Sequence, residues 1–446
     1  MALLDVTIVN VAIPSMQAGL KAPPQTIQWV VSGYALTFGL VLVAGGRLGD
    51  IYGRRILMLI GLAAFVASSA AVGLAPTPEL VVVARLIQGA AAGFLTPQSS
   101  GLIQQLFSGR ERGIAFGYFG TTVGVASAAG PILGGLILAV SGAEYGWRYV
   151  FGINLPIGLV ALLLVWRWVP RKPREAVDAA RSGLDVVGAL LLGLAVLCLL
   201  LPTIEAQVAG NAILLLMLAT PVFAALFVWW ERRASRAGRA PLLDLGLLRS
   251  TPGYASGIAV GTIYFTGFTG VFLVLSVFLQ DDAGYAPLQA GLLLTPFAIG
   301  TAVMAPIAGR LVSMIGRRIT VIAVLVVIAG LGALLLVLPD QPQALSWPLI
   351  VFPLLIAGLG GGAVISPNQT LSLNDVPPRM GGAAGAALQT GQRIGSALGA
   401  AVLVTAYRIP QNMGLPAGHA VRVALGCSLV ILTGALVVAI RDLRNR

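Results

Sequence analysis

Fourteen apolar stretches, each about 20 residues long and closed off by Pro, Gly or charge, leave this chain few folds to choose from. They run over residues 1–18, 28–47, 55–75, 80–106, 113–140, 148–169, 184–203, 211–231, 254–280, 288–313, 318–338, 347–371, 382–407 and 421–441. Between them lie breaker segments such as LKAPPQ, APTPE, PRKPREA, LPDQPQ and DVPPRMGG. In hydrocarbon a spanning backbone must satisfy its own N–H and C=O groups, so stretches of this length are expected as transmembrane α-helices. Only 10% of the residues are charged, against roughly 25% in soluble domains. The expected class is an all-α membrane protein.

The formal net charge is +12, but the basic residues lie in small groups between apolar stretches, which argues against a nucleic-acid partner. Lys and Arg resist translocation, so their distribution sets the topology. With the N-terminus inside, 22 basic residues fall on that side and four, Lys21, Arg148, Arg408 and Arg422, on the other; Arg85 and Arg393 stay at membrane depth. Both termini are then expected on the cytoplasmic side of the cell membrane. The opening MALLDVTIVNVAIP has no basic n-region and carries Asp5, so this span is expected to be retained. Cys198 and Cys427 stand singly in distant apolar stretches, which gives neither a disulfide framework nor metal-ligand spacing. His419 is the only histidine, no nucleophile constellation is present, and no GxxxxGK[ST] stretch occurs for nucleotide phosphates. These patterns exclude an enzyme and predict no cofactor.

The chain repeats itself. GGRLGDIYGRRILML (45–59) and AGRLVSMIGRRITVI (308–322) share GRL, four residues, then GRR, at an offset of 263 positions. RLIQGAAAGFLTPQ (85–98) has a weaker echo in LLIAGLGGGAVISPNQ (354–369), with Pro97 matched by Pro367 at an offset of 270. Offsets longer than half the chain predict two pseudo-symmetric six-helix bundles with two extra helices inserted between them. The predicted organisation is an N-terminal bundle over 1–169, a cytoplasmic linker over 170–183, the extra helix pair over 184–231, a second cytoplasmic linker over 232–253, and a C-terminal bundle over 254–441. Parallel halves around a midplane site are a common transporter design.

Several motifs together resemble the major facilitator superfamily, in particular its fourteen-helix drug:proton antiporter branch of multidrug resistance exporters. They are LDVTIVNVAIP in the first helix, GRLGDIYGRR between the second and third, RLIQGAAAG in the fourth, GPILGG in the fifth, WRYVFGINLPIG entering the sixth, and ERRASRAGRAPLLDLGLLR before the ninth. The resemblance implies the major-facilitator fold and export of small amphiphilic or cationic compounds coupled to proton entry, with no cofactor beyond the proton gradient. In that family the first helix extends further before the motif acid, whereas only four residues precede Asp5 here. Either the start lies upstream of Met1 or the first helix is short, spanning by local bilayer thinning.

A charge at membrane depth costs at least about 2.5–3.5 kcal/mol, so those that persist are expected to face a cavity or a partner. Asp5 leads for proton coupling, because burial favours a protonated carboxyl and hydration an ionised one; a solvated Asp5 near a frayed terminus is the alternative. Arg85, with Gln88 on the same helix face, stays ionised and is expected to bias a nearby acid, with Arg393 its counterpart in the second half. Structural ion pairing is the competing role for both cations. For gating, Gly46, Gly49 and Gly53 are expected to let two helices turn tightly, Arg54 and Arg55 to hold the loop inside, and Asp50, beside Arg47, to meet Arg54 or a helix N-terminus. The resemblance makes this motif a latch of the outward-open state. Ser313 replaces Asp50 in the second copy, which predicts an asymmetric gate. Gly130, Pro131, Gly134 and Gly135 are expected to permit close helix packing and a bend, and by resemblance mark an antiporter. Asn10, Trp29, Tyr34, Gln88, Asn368, Gln369 and Gln389 are the expected substrate-cavity groups; lipid contact is the alternative for the aromatics. The partners are a small-molecule substrate, protons and the lipid bilayer, and one chain with two halves suffices as a monomer. The alternative cargo on the same fold is an endogenous metabolite, lipid or siderophore.

Overall fold

The computed structural model describes residues 1–142, 144–170, 185–205, 211–237, 241–341 and 346–444. The linker expected over 170–183 therefore lies, from residue 171 on, outside the described residues, as do Arg171, Lys172, Arg174, Arg181, Arg239 and Arg446 of the topology count. The described chain is helical: α1 (Ala2–Leu20), α2 (Pro24–Tyr52), α3 (Arg54–Leu74), α4 (Pro78–Leu106), α5 (Gly109–Ser141), α6 (Gly146–Gly152), α7 (Asn154–Trp168), α8 (Val186–Glu205), α9 (Ala219–Arg236), α10 (Tyr254–Val277), α11 (Pro287–Ile315), α12 (Arg318–Val337), α13 (Trp347–Ser372), α14 (Gly381–Asn412) and α15 (Ala417–Arg444).

Local sequence explains the boundaries. Pro24 and Pro287 open α2 and α11, where a missing N–H and a fixed φ cost nothing. Gly53 at φ 98° and Gly316 at φ 59° end α2 and α11, a backbone region that side chains with a Cβ avoid. The expected sixth span is broken at Ile153, between α6 and α7. Pro156 has no N–H for the carbonyl of Gly152 and its ring crowds that carbonyl, so the helix restarts at Asn154. The expected eighth span continues to Arg236 instead of stopping at 231, because Glu, Arg and Ala sustain a helix.

Twelve helices among the described residues are long and apolar enough to cross a membrane. The two remaining expected spans coincide with α8 and α14, which fall outside that set for different reasons. The apolar part of α8, Val186–Pro202, is shorter than a full span of about 20 residues. α14 is 32 residues long but carries GGAAGAALQTGQRIGSALG, whose small and polar residues lower its hydropathy.

The residues form two compact units. The first comprises Met1–Leu106, Ala129–Ser250 and Val376–Thr390, so it includes the first turns of α14 although these follow late in the sequence. Its core is built from Ile8, Met16, Val30, Trp147 and Phe151 at one level and from Phe38, Leu42, Phe65, Leu242 and Ala386 at another. The second unit comprises Phe107–Ala128, Thr251–Asp375 and Gly391–Arg446, with a core around Tyr264, Leu275, Val327, Leu354 and Leu425.

Candidate functional site: a buried carboxylate network and a helix-capping acid

Asp5 is fully buried and every oxygen of its carboxylate is bonded. Oδ2 accepts from Arg85 Nη1 at 2.5 Å; Oδ1 accepts from Gln88 Nε2 at 3.1 Å and from Asn154 Nδ2 at 2.8 Å. Thus α1, α4 and the start of α7 meet at one side chain. The solvated alternative for Asp5 is ruled out by its burial. Arg85 in turn donates from Nε to Val30 O at 2.9 Å and from Nη1 to Gln88 Oε1 at 2.9 Å, with its guanidinium 4.2 Å from the centre of the Tyr34 ring. Asn154 Nδ2 also donates to Ser69 Oγ at 3.1 Å, and Ser69 donates to Phe151 O at 3.0 Å. Asn154 Oδ1 is buried with no donor.

Gln88, expected on one face with Arg85, and Tyr34 both contact the buried guanidinium, which needs acceptors and an aromatic face around it. Arg393 lies on α14 in the second unit and is partly buried, whereas Arg85 is fully enclosed. Asn154 and Ser69 carry the network and were missed as site residues. The signal for Asn154 was present: a lone amide immediately before the LPIG break, where the restarted helix aims it inward.

GPILGG sets the approach of α1. A Cβ on Gly130 would lie 2.0 Å from Thr7 Oγ1, and one on Gly134 within 3.1 Å of Ile8, two and three residues along α1 from Asp5. Gly135 and Pro131 are partly exposed.

Asp50 forms the second constellation. Its Oδ1 pairs with Arg54 Nη2 at 2.8 Å and accepts Gly382 N–H at 3.0 Å, while Oδ2 accepts Ala383 N–H at 2.9 Å. The carboxylate therefore caps the first turn of α14, where unpaired N–H groups and the positive dipole end attract an anion. Arg54 is buried and spreads its donors over Gly101 O, Gln105 Oε1 at 3.2 Å and Pro378 O at 2.7 Å. A purely topological role for Arg54 does not fit that burial; Arg55, partly exposed, bonds the Trp166 carbonyl. Arg47 is partly buried. Only Gly53 makes the turn. Gly46 and Gly49 lie within α2 and serve close contact: a Cβ at Gly46 would stand 2.5 Å from Gly382 O, and one at Gly49 1.9 Å from Gln98 Oε1.

The second unit holds an equivalent packing without the acid. A Cβ at Gly309, the counterpart of Gly46, would stand 2.3 Å from Gly113 O in the first turns of α5. Ser313 is exposed and bonds only within its own helix, to Arg310 O at 3.1 Å. Arg317 pairs instead with Asp442 of α15, which also accepts from Ser256 Oγ at 2.5 Å.

The remaining residues expected in a cavity belong to both units. Asn10 is exposed and Trp29 partly buried. Gln389, in the first unit, donates to Ser100 Oγ at 2.8 Å. Asn368, in the second, donates to Gly257 O at 3.0 Å, and its neighbour Gln369 is buried with Oε1 unbonded.

The chain is 37% identical over 411 residues to "Probable actinorhodin transporter" of Streptomyces coelicolor, covering 91% of this chain and 70% of that protein. It is 33% identical over 407 residues to "Multidrug resistance protein Stp" of Mycobacterium tuberculosis (90% and 73%) and 33% identical over 465 residues to "Puromycin resistance protein pur8" of Streptomyces alboniger (100% and 90%). Its fold matches the proton:xylose symporter XylE with a TM-score of 0.68 at 16% identity, over 97% of this chain and 92% of that one. The model of the Major Facilitator Superfamily matches residues 1–400, and the chain belongs to that family of membrane transporters.

Proposed function

We propose that this transporter exports small amphiphilic or cationic compounds across a bacterial cytoplasmic membrane in exchange for protons, by alternating access. The observation that carries the reading is the enclosed Asp5–Arg85 pair, with an unbonded acceptor, Asn154 Oδ1, on one of its ligands. Charges enclosed this way are costly unless paired, which makes them sensitive to one proton. A proton on Asp5 cancels the charge that holds Arg85, and a turn of the Asn154 amide gives the new O–H an acceptor. Loss of the pair loosens α1 from α4, which links protonation to movement. The Asp50 cap on α14 is the matching mechanical contact, made and broken once per cycle. The relatives named for drug and antibiotic resistance support the cargo class.

In this reading α8 and α14 complete a count of fourteen spans, both termini are cytoplasmic, the five segments read from the sequence follow the internal repeat rather than the two compact units, and a monomer works without cofactor. Purified protein in liposomes is expected to move a cationic dye against its gradient when a pH gradient is imposed. Equal dye movement with and without the gradient would refute proton coupling.

A further inference from the structure

α9 presents a face that neither the transport reading nor the core uses. Trp229, Arg232, Arg233 and Arg236 recur at helical spacing and are all exposed. They line a cavity of about 830 Å³. The Arg233 guanidinium lies 5.5 Å from the centre of the Trp229 ring. One to two turns earlier the same face carries the exposed side chains of Val222 and Leu226. Along one helix, then, apolar surface gives way to an aromatic ring and then to three cations.

Topology alone asks for basic residues at this end of the helix, but places no demand on which face they occupy. Here none of the three arginines has a carboxylate partner among the described residues. The acid next to them in sequence, Glu231, points the other way: it is buried and accepts the N–H groups of Leu242 at 3.2 Å and Leu243 at 3.4 Å. The face is therefore a concentrated positive site at the edge of a membrane span. A zwitterionic headgroup would bring its own cation and gain little there. A phosphate diester with no compensating cation gains the bidentate fit that guanidinium groups offer, and its acyl chains run along Val222 and Leu226.

We infer that the Trp229–Arg236 face of α9 is a binding site for an anionic phospholipid, which anchors the extra helix pair to the leaflet at this end. The inference needs only the membrane location that family membership gives and stands independently of proton coupling.

The test is native mass spectrometry of the full chain in detergent, titrated with phosphatidylglycerol, phosphatidylcholine or inorganic phosphate. Wild type is expected to bind phosphatidylglycerol in preference to phosphatidylcholine, and to bind inorganic phosphate far more weakly. The triple variant Arg232→Gln, Arg233→Gln, Arg236→Gln is expected to lose that preference, with affinity for phosphatidylglycerol down at least about tenfold. A control triple, Arg318→Gln, Arg441→Gln, Arg444→Gln, removes the same charge from exposed positions elsewhere and is expected to keep it. All six substituted positions are exposed, so both variants fold; their melting curves verify this. Equal loss in both triples, no loss in the first, or phosphate binding as well as the lipid would each overturn the proposal.

Discussion

Asp5 and Arg85 are useful to each other because neither is tolerable alone at that depth. Arg85 serves Val30 O, Gln88 and Asp5 from one rigid fork and lies against Tyr34, a set of contacts that a lysine ammonium cannot reproduce. Replacing Arg85 by Met leaves a buried carboxylate without its cation and is expected to destabilise the protein by about 3–5 kcal/mol. Adding Asp5→Asn to that variant should recover most of the loss, since a neutral amide needs no counter-charge. Thermal unfolding of the four proteins of this cycle in detergent measures it; additive losses would mean the pair is not coupled. The acid and the arginine were legible as charges in apolar stretches. Their mutual contact was not, because two residues 80 positions apart give no spacing signal, and Asn154 was hidden as one polar residue within a motif read only for its resemblance.

At the scale of elements, two carboxylates hold backbone ends in place. Asp50 caps α14, and Asp50→Asn is expected to cost about 0.5–2 kcal/mol of local stability while speeding hydrogen exchange at the Gly382 and Ala383 amides. Glu231 holds Leu242 and Leu243, whose side chains pack in the core with Phe38 and Ala386. Glu231→Ala should therefore raise exchange at Leu242 and Leu243 and leave α11 and α12, in the other unit, unchanged. Unaltered exchange at those amides would show that packing alone fixes the segment. The helices themselves were legible from apolar length, and Gly, Pro and charge marked where they end. What the length could not convey was continuity: Gly53 alone separates α2 from α3, Pro156 splits the sixth span, and the small residues of α14 make a 32-residue helix look less apolar than its neighbours.

For the whole molecule, the repeat at an offset of 263 positions has a physical counterpart in two glycine contacts, Gly46 with Gly382 and Gly309 with Gly113, each against an early turn of a long helix. The acid exists in only one of them, so the two contacts differ in strength, and the asymmetry was legible as Ser313 standing for Asp50. The fourteen-span reading predicts both chain ends on one side. In a background lacking Cys198 and Cys427, single cysteines at Ala2 and at Leu443 should label from the cytoplasmic side alone; labelling from opposite sides would mean an odd number of crossings.

Proton coupling through Asp5 is the claim on which the functional reading stands. Counterflow and gradient-driven uptake of a cationic dye, measured in the same liposomes with wild type and Asp5→Asn, separate binding and movement from coupling. The variant is expected to exchange dye down equal concentrations while losing accumulation driven by a pH gradient; accumulation that persists in Asp5→Asn would contradict the account.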